Sequence, residues 1–526
     1  MAGATQARAQ PTLPVLAKIG PWPVVSKLIA YQGRIWLANS VKGRNHNSAD
    51  LYSYDPTTGA LRYERHLFSQ DAGDPLVADG LLYWPYEDGR FSLGLGHYDV
   101  TDGQTWQSGT IYGARSFHTH AMAALDGRLI AATSAWRGKL QSSGDGGRHW
   151  RLDYDHPTPE GRVTRFVDLV SVNGMVFGNL VSRDGQGLRR LDTGEAQAPP
   201  GWPENRALVA VTSSATTLYG LVREADGTAL WRSDGISSER LYGPDDNWPA
   251  QDIALADDGL WIVTAEGDGG VIRHSTDGKA WRAVWRLDGG QPREILVHNG
   301  QVYAAGRGGT DSRGILWGPA PTAARTPEVV QTPPPLKTPP RPNNGRDWEA
   351  AGAELDRLLG DPETFANHGR KLRGMLFALV RESPPPRFFA DRLDALMPGD
   401  PVSLIGGAVR VEARTLGRWL LLWAMATAGQ GPVPPDLIAA PWTAPENPSE
   451  KYFETAPIAI WTAGSLGQND RATIDALIER LDRPGDPNWL AGDVIGALTA
   501  ITDQRFGYDV AAWRDWWAGV AATWTH

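Results

Sequence analysis

The chain has 526 residues, of which 41% are hydrophobic and 21% charged, and it carries a net charge of −9. This length predicts two or three domains, and the acidic balance argues against partners such as nucleic acid or an anionic membrane. The sequence contains no cysteine, which excludes disulfides, thiolate metal sites and cysteine nucleophiles.

Residues 1–11 are expected to form a flexible tail. Ala7, Arg8 and Ala9 look like the small-residue end of a signal-peptide cleavage site, although no apolar stretch precedes them. Two interpretations stay open at this point, a processed secreted protein and a simple disordered tail. The apolar segment that follows, residues 13–19, predicts a β-strand.

A short two-strand unit recurs along residues 12–320. Each copy has an apolar strand, a tight turn that usually ends in glycine, and a second strand rich in aliphatic and aromatic residues. Such turns between apolar strands are strong signals for two-residue hairpins. The copies have their turns at Gln32-Gly33, Asp79-Gly80, Asp126-Gly127, Asn173-Gly174, 213–217, Asp258-Gly259 and Asn299-Gly300. The first four glycines are 47 residues apart, which is the length of one four-stranded propeller blade.

A second motif runs in phase with the hairpins. Its good copies are Ser143–Trp150, Ser275–Trp281 and Thr101–Trp106, and its weaker copies are Asp55–Gly59, Asp192–Gly194 and Ser233–Gly235. The aspartate can accept hydrogen bonds from the amides of a turn, and the glycine permits a positive φ angle. The tryptophan can pack between blades. We therefore assign this motif a structural role, in the turn between the third and fourth strands of a blade.

The motif resembles the Asp-box, Ser-x-Asp-x-Gly-x-Thr-Trp, and the resemblance implies an all-β, seven-bladed propeller over residues 12–320 of the kind found in the BNR and sialidase-like superfamily. The last unit has strands near 294–298, 301–305 and 314–318 and then runs into prolines. Its fourth strand is missing. The segment 13–19 is expected to supply that strand, so that the ring closes without a free edge.

Residues 321–346 form the predicted linker between two domains. Nine prolines lie between positions 319 and 342. A stretch of this kind prefers polyproline II and acts as a semi-rigid spacer. The alternative is a ligand for an SH3-like partner.

Residues 347–526 predict an α-helical domain, because the period of the apolar residues changes from 2 to 3.6. Helices are expected near 348–358, 362–382, 385–395, 403–428, 450–465, 474–481, 494–501 and 509–520. The stretch 470–520, with its Gly507-Tyr508-Asp509 turn and Trp-rich last helix, resembles the end of bacterial HEAT-like repeat domains. That resemblance implies that the tryptophans cap the stack.

The residues at which the first strand of each blade begins are predicted to line one mouth of the central channel. Several of them are basic or are histidines: Arg115, His118, His120, Arg165, Arg206 and Arg293. A ring of cations favours an anionic ligand such as a carboxylate or an acidic sugar. In the alternative interpretation these cations form ion pairs with Asp74, Asp168, Asp252 and Glu294. The pairs then neutralise the charges inside the channel and bind no ligand.

The same residues raise two further possibilities. His118 and His120 lie on one face of a strand and could hold a metal ion, but two ligands are too few without a carboxylate such as Asp168 or Asp74. We therefore predict no metal. Paired carboxylates could act as acid and base on a glycosidic bond, and the candidates are Asp168, Asp252 and Glu294. No nucleotide-binding, hydrolase or metalloprotease motif is present, so no cofactor is expected.

Two functions follow from these features. The first is a non-catalytic binding or scaffold protein that presents the channel mouth and a helical-repeat surface to a protein or an anionic glycan. The second is a carbohydrate-active hydrolase or lyase with its site at the channel mouth. Neither a nucleic-acid partner nor a membrane span is expected. The expected location is periplasmic or extracellular, with the cytoplasm as the alternative.

Overall fold

The computed structural model describes residues 10–41, 48–225, 227–242, 249–309, 313–321, 345–361, 370–393, 395–396, 401–404, 409–442 and 453–525. The chain divides into two compact units, Met1–Lys337 and Thr338–His526. The predicted tail and the predicted proline-rich linker lie largely outside the described residues.

The first unit consists of antiparallel sheets arranged as propeller-like blades. Four sheets have four strands each, in sequential order: β6 (Leu76–Ala78) to β9 (Trp106–Ile111), β10 (His118–Leu125) to β13 (Arg151–Asp155), β17 (Leu208–Ser213) to β20 (Ser238–Tyr242), and β21 (Ala250–Ala256) to β24 (Arg282–Leu287). Their inner members are β7 (Leu81–Pro85), β8 (Gly96–Thr101), β11 (Arg128–Ser134), β12 (Gly138–Ser143), β18 (Leu218–Glu224), β19 (Gly227–Ser233), β22 (Gly259–Glu266) and β23 (Gly269–Ser275). A further sheet has three strands: β14 (Thr164–Val172), β15 (Met175–Ser182) and β16 (Gly187–Arg190).

The remaining strands form one eight-stranded sheet that contains both ends of the unit. Its strands are β1 (Val15–Ile19), β2 (Val24–Tyr31), β3 (Arg34–Ser40), β4 (Ala49–Tyr54), β5 (Leu61–Leu67), β25 (Gly290–His298), β26 (Gln301–Gly308) and β27 (Gly314–Trp317). Strand β1 pairs antiparallel with β27, with Ile19 opposite Gly314. This pairing confirms the prediction that segment 13–19 joins the last strands of the unit.

The hairpins between first and second strands have the backbone that their sequences predict. Asp79 and Gly80 have φ angles of 50° and 75°, and Asn299 and Gly300 have 50° and 67°. Two successive positive φ angles define the type I′ turn, whose twist matches that of the flanking strands. Glycine and asparagine or aspartate tolerate this region, which explains the recurring Asp-Gly and Asn-Gly pairs.

The segments that resemble the Asp-box form the predicted turns between third and fourth strands. Asp145 lies between β12 and β13, and its Oδ1 accepts hydrogen bonds from the backbone amides of Arg148 (3.1 Å) and His149 (2.9 Å). The Trp150 indole donates to the carbonyl of Gly147 at 3.0 Å. The turns at Asp277, Asp102 and Asp234 repeat the aspartate-to-amide bonds. The motif therefore stabilises turns, as its composition predicts.

Apolar side chains fill the spaces between neighbouring sheets. In one cluster, Trp36 and Leu51 of the eight-stranded sheet pack with Leu82 and Trp84 of the next sheet, and all four are buried. Burial of large apolar side chains is the main favourable term in folding. A single sheet cannot cover both of its faces, so each sheet depends on its neighbours.

The second unit is mainly helical. Its helices are α1 (Trp348–Leu359), α2 (Arg370–Leu379), α3 (Ala390–Leu393), α4 (Ala413–Ala428), α5 (Pro435–Ile438), α6 (Thr455–Leu466), α7 (Arg471–Arg480), α8 (Asn488–Thr502) and α9 (Val510–Val520). No helix in the described part of the chain is long and apolar enough to cross a membrane.

One element corrects the prediction of an all-α domain and of a helix over 403–428. Strands β28 (Pro401–Leu404) and β29 (Val409–Glu412) pair antiparallel, and the helix begins only at Ala413. In the sequence Val409 and Val411 alternate with Arg410 and Glu412, and β-branched residues in alternation favour a strand.

Candidate functional site

The first strands of successive sheets pack against one another and carry the predicted site residues. Strand β14 packs against β10 and β17, β21 packs against β17 and β25, and β25 packs against β2. The end of the sheets at which β10 and β14 begin is called the mouth face below.

Three charged residues occupy equivalent positions in these first strands. The strand register shifts just before Lys27 in β2, Asp252 in β21 and Glu294 in β25. A β-bulge of this kind bends the strand and re-aims the side chain that follows it. The bulges therefore explain how charged residues from three different first strands reach a common position.

Lys27 is the positive centre of a carboxylate-rich group, called the Lys27 cluster below. Its ammonium group forms an ion pair with Asp74, and the charges of Glu294 and Asp168 also act on it. Burial alone would lower the pKa of Lys27, but these carboxylates outweigh burial and raise the pKa well above its usual value. Lys27 is therefore charged at every physiological pH.

Asp168 lies in the same cluster and is held from two sides. The side-chain amide of Asn179 donates to Asp168 Oδ2 at 2.7 Å, and the carboxyl of Asp74 is a further hydrogen-bond partner. Burial, and next the charge of Asp74, raise the pKa of Asp168 to about 7. The carboxyl of Asp168 therefore changes its protonation state near neutral pH.

Asp252 completes the cluster and links two neighbouring strands. Its Oδ1 accepts from its neighbour Ile253, and its Oδ2 accepts from the backbone amide of Ile295 in β25, both at 2.8 Å. Burial raises the pKa of Asp252 to about 7, although these two hydrogen bonds and the charge of Lys27 favour the ionised form.

The predicted His118 and His120 lie close to the Lys27 cluster and stack on each other. Their ring centroids are 5.2 Å apart, with an interplanar angle of 22°. His118 Nδ1 bonds to the carbonyl of Glu87 (2.5 Å), and His120 Nε2 bonds to the Ser134 hydroxyl (2.9 Å). Burial, and next the charge of Arg165, lower the pKa of His118 to about 4, and burial lowers that of His120 well below its usual value. Both rings are therefore neutral at pH 7.

The structure brings some of the predicted cations together and leaves others apart. Arg165 Nη1 lies 3.7 Å from the carboxylate of Glu87, beside the two histidines. Arg115 and Arg206 are exposed, and Arg293 is half-buried. Within the described ranges, no ion pair or hydrogen bond joins those three arginines to the histidine pair.

The residues described do not assemble a metal site. No three His, Cys, Asp or Glu side chains in that part of the chain are arranged to hold an ion. The ring nitrogens that bond to Glu87 and Ser134 are directed at the protein itself.

Sequence reasoning did not find three residues that organise the site, Asn179, Glu87 and Ser134. They lie on second strands or in loops, and no motif marks them. The hairpin register is the signal that could have located Asn179, because it places this residue beside the first strand that carries Asp168.

Comparison with known proteins gives a limited likeness. A family model described as outer membrane protein assembly factor BamB matches residues 26–219, which is less than half of the chain. Among solved structures, the computationally designed Ika8 protein is 14% identical with a TM-score of 0.40, and it covers 58% of this chain and 99% of its own. The periplasmic gluconolactonase PpgL of Pseudomonas aeruginosa is 15% identical with a TM-score of 0.39, covering 55% and 96%. No curated protein sequence matches.

The family match and the antiparallel sheets both support a β-propeller for the first unit.

Proposed function

We propose that the first unit is a seven-bladed propeller of the Asp-box type. The eight-stranded sheet divides into β2–β5 and a second group, β25, β26, β27 and β1. Within the described residues, the two groups are joined through the pair Val24 and Arg307. Counting these groups as two blades, together with the other five sheets, makes seven. The Lys27–Asp74 ion pair and the bridge from Asp74 to Ala121 connect the first three blades around the ring.

The second unit is proposed to be HEAT-like around its final helices. The Trp517 indole donates to the Asp475 carboxylate at 2.7 Å, and the Trp513 indole donates to the Gly507 carbonyl at 2.9 Å. Tryptophans whose N–H groups are bonded within the fold suit a cap on a helical stack better than a ligand cage.

The function that this geometry supports best is non-catalytic binding, with the mouth face and the helical unit presented to a protein or glycan. One observation carries this proposal. The carboxylates of the Lys27 cluster already bind partners within the fold: Asp74 binds Lys27, Asp168 binds Asn179, and Asp252 bonds to Ile295 of the next blade. Groups used to join strands are poorly placed to act on a substrate.

Substitution of the bridging carboxylate tests this structural role. Asp252→Ala leaves two buried amides without acceptors and is expected to destabilise the first unit by about 2–4 kcal/mol. The exposed Asp184→Ala serves as the control. Equal melting curves for the two variants would contradict the proposal.

A carbohydrate-active hydrolase or lyase stays as the second candidate, because one observation favours it. Burial raises the pKa of Asp168 and of Asp252 to about 7, so each carboxyl can gain or lose a proton near neutral pH. General acid–base catalysis is most efficient with groups whose pKa lies near the working pH. This candidate predicts activity that Asp168→Asn, Asp252→Asn and Glu294→Gln each abolish, and undiminished activity in all three variants would exclude it.

A periplasmic or extracellular location and a protein partner belong to the same proposal. The assembly-factor name of the family model supports both. Fractionation of cells that express the full chain tests the location, and recovery in the cytoplasmic fraction would support the alternative.

A further inference from the structure

An exposed tryptophan stands out on the mouth face. Trp136 lies in the short loop between β11 and β12, and 66% of it is accessible to solvent. Every other tryptophan in the described part of the chain is buried or half-buried. An aromatic side chain of this size gains much from burial, so its exposure marks a surface that can gain free energy by binding.

Two aliphatic side chains extend this apolar surface onto the next blade. Val163 and Val181 are 38% and 46% exposed. The backbone amide of Thr164 donates to the carbonyl of Trp136 at 3.0 Å, which fixes Val163 beside Trp136. Val181 lies opposite Arg165 in the strand register.

Arginines lie on the same two blades as these apolar residues, in a protein whose net charge is −9. Arg137 and Arg162 flank the two blades. Arg137 Nη2 lies 3.2 Å from the half-buried Asp155, and Arg162 Nε lies 3.4 Å from the exposed Asp184. Exposed ion pairs contribute little and exchange partners readily. We call the group Trp136, Arg137, Arg162, Val163 and Val181 the Trp136 patch.

Arg115 and Arg183 add to the positive charge of this region, because both are exposed at the same end of the same two blades. Lys139 of β12 donates to the carbonyl of Arg115 at 2.9 Å, which ties Arg115 to the loop that carries Trp136. A cationic rim around an apolar centre is complementary to an anionic rim around an apolar side chain.

We propose that the Trp136 patch binds an acidic segment of a protein partner, in which Asp or Glu residues flank an apolar side chain. This inference rests on the proposed binding function and names the class of its partner. Tryptophan and arginine dominate the residues that contribute most to protein interfaces. The two valines favour a polypeptide over a glycan, because sugars stack on aromatic faces but gain little from aliphatic side chains. The Thr164 amide already donates to the Trp136 carbonyl, so it is not available to a peptide backbone.

The test is selection of random displayed peptides on the full-length chain, followed by calorimetry of the enriched peptides. Wild type is compared with Trp136→Ala and with Ile236→Ala, a control at a residue that is 72% exposed in a turn of another blade. We expect the enriched peptides to be acidic and to contain an apolar residue. Their dissociation constants should rise at least about tenfold in Trp136→Ala and stay unchanged in Ile236→Ala.

Several outcomes would overturn the inference. These are enrichment of neutral or basic peptides, failure to enrich any peptide, equal affinity of acidic peptides for wild type and Trp136→Ala, or binding of oligogalacturonate at Trp136 in place of peptides. Failure of the proposed function is recognised separately. It would show as turnover of a glycan that Asp168→Asn abolishes and Trp136→Ala leaves intact.

Discussion

Replacement of Asp168 by asparagine removes a titrating carboxyl from the Lys27 cluster and keeps a side chain of the same shape in its place. The asparagine oxygen can accept the hydrogen bond from Asn179, as Asp168 Oδ2 does at 2.7 Å, and its amide can donate to Asp74. Asparagine therefore imitates the protonated carboxyl and fixes the cluster in that state. The perturbation removes one titrating group and preserves the local packing.

The magnitude follows from linkage. The pKa of Asp168 is about 7 in the folded protein, against about 3.9 in an unfolded chain. The folded state therefore binds more protons between these values, so the stability contribution is complete below about pH 4 and is lost as the pH rises through about 7. At about 1.4 kcal/mol per pKa unit, Asp168 lowers the free energy of unfolding by about 2–3 kcal/mol from pH 5 to pH 8.

The assay is hydrogen exchange of the full chain at pH 5 to 8, corrected for intrinsic rates and read on peptides from residues 164–190. From pH 5 to pH 8, the free energy of opening measured by exchange should fall by about 2–3 kcal/mol more in wild type than in Asp168→Asn. The contributions of the histidines to the pH dependence cancel, because both proteins contain the same histidines. Asp184→Asn, at an exposed carboxylate in the same blade, should follow wild type. Parallel pH profiles for wild type and Asp168→Asn would refute the reasoning.

Two substitutions test structural roles assigned above, and a third tests the hydrogen bonds of the buried Arg480; each is measured by thermal unfolding. Asp145→Ala removes the acceptor of its turn amides and should cost about 1–2 kcal/mol, whereas Asp153→Ala, at an exposed ion pair, should cost less than about 1 kcal/mol; equal losses would contradict the turn role. Trp517→Phe should cost about 1 kcal/mol more than Trp516→Phe, because it loses an indole hydrogen bond; the reverse order would contradict the cap. Arg480→Met should cost at least about 3 kcal/mol, since it leaves a buried carboxylate and carbonyls without their donor; an unchanged melting curve would contradict this role.

Local signals predicted the parts of the fold that depend on backbone chemistry. The Asp79-Gly80 and Asn299-Gly300 pairs specify type I′ turns because few other residues adopt two successive positive φ angles. The aspartates of the Asp-box-like segments specify their turns through hydrogen bonds that span only two to four residues. The outer strand β1 was predictable from an incomplete last unit together with an apolar segment near the other end.

The helical unit was less predictable. The sequence predicts a helix across the hairpin that begins at Pro401, because the apolar residues of the hairpin merge with those of the helix that follows. Short apolar runs cannot be assigned by periodicity alone.

The sequence predicts several residues of the candidate site but not how they are arranged. The sequence places Asp168, Asp252 and Glu294 near the starts of first strands, but their convergence on Lys27 depends on β-bulges that no motif marks. Asn179 comes from a second strand. The buried, neutral state of His118 is likewise a property of packing, because it depends on the desolvation of its ring.

The release of reducing ends from a panel of neutral and acidic polysaccharides tests the central claim of non-catalytic binding most directly. Wild type, Asp168→Asn, Asp252→Asn and Glu294→Gln are assayed side by side between pH 5 and 8, together with Asp184→Asn as the matched control. The account predicts no release above the protein-free rate for any of the five proteins. Release by wild type and Asp184→Asn that is lost in the three cluster variants would contradict it and establish the Lys27 cluster as a catalytic site.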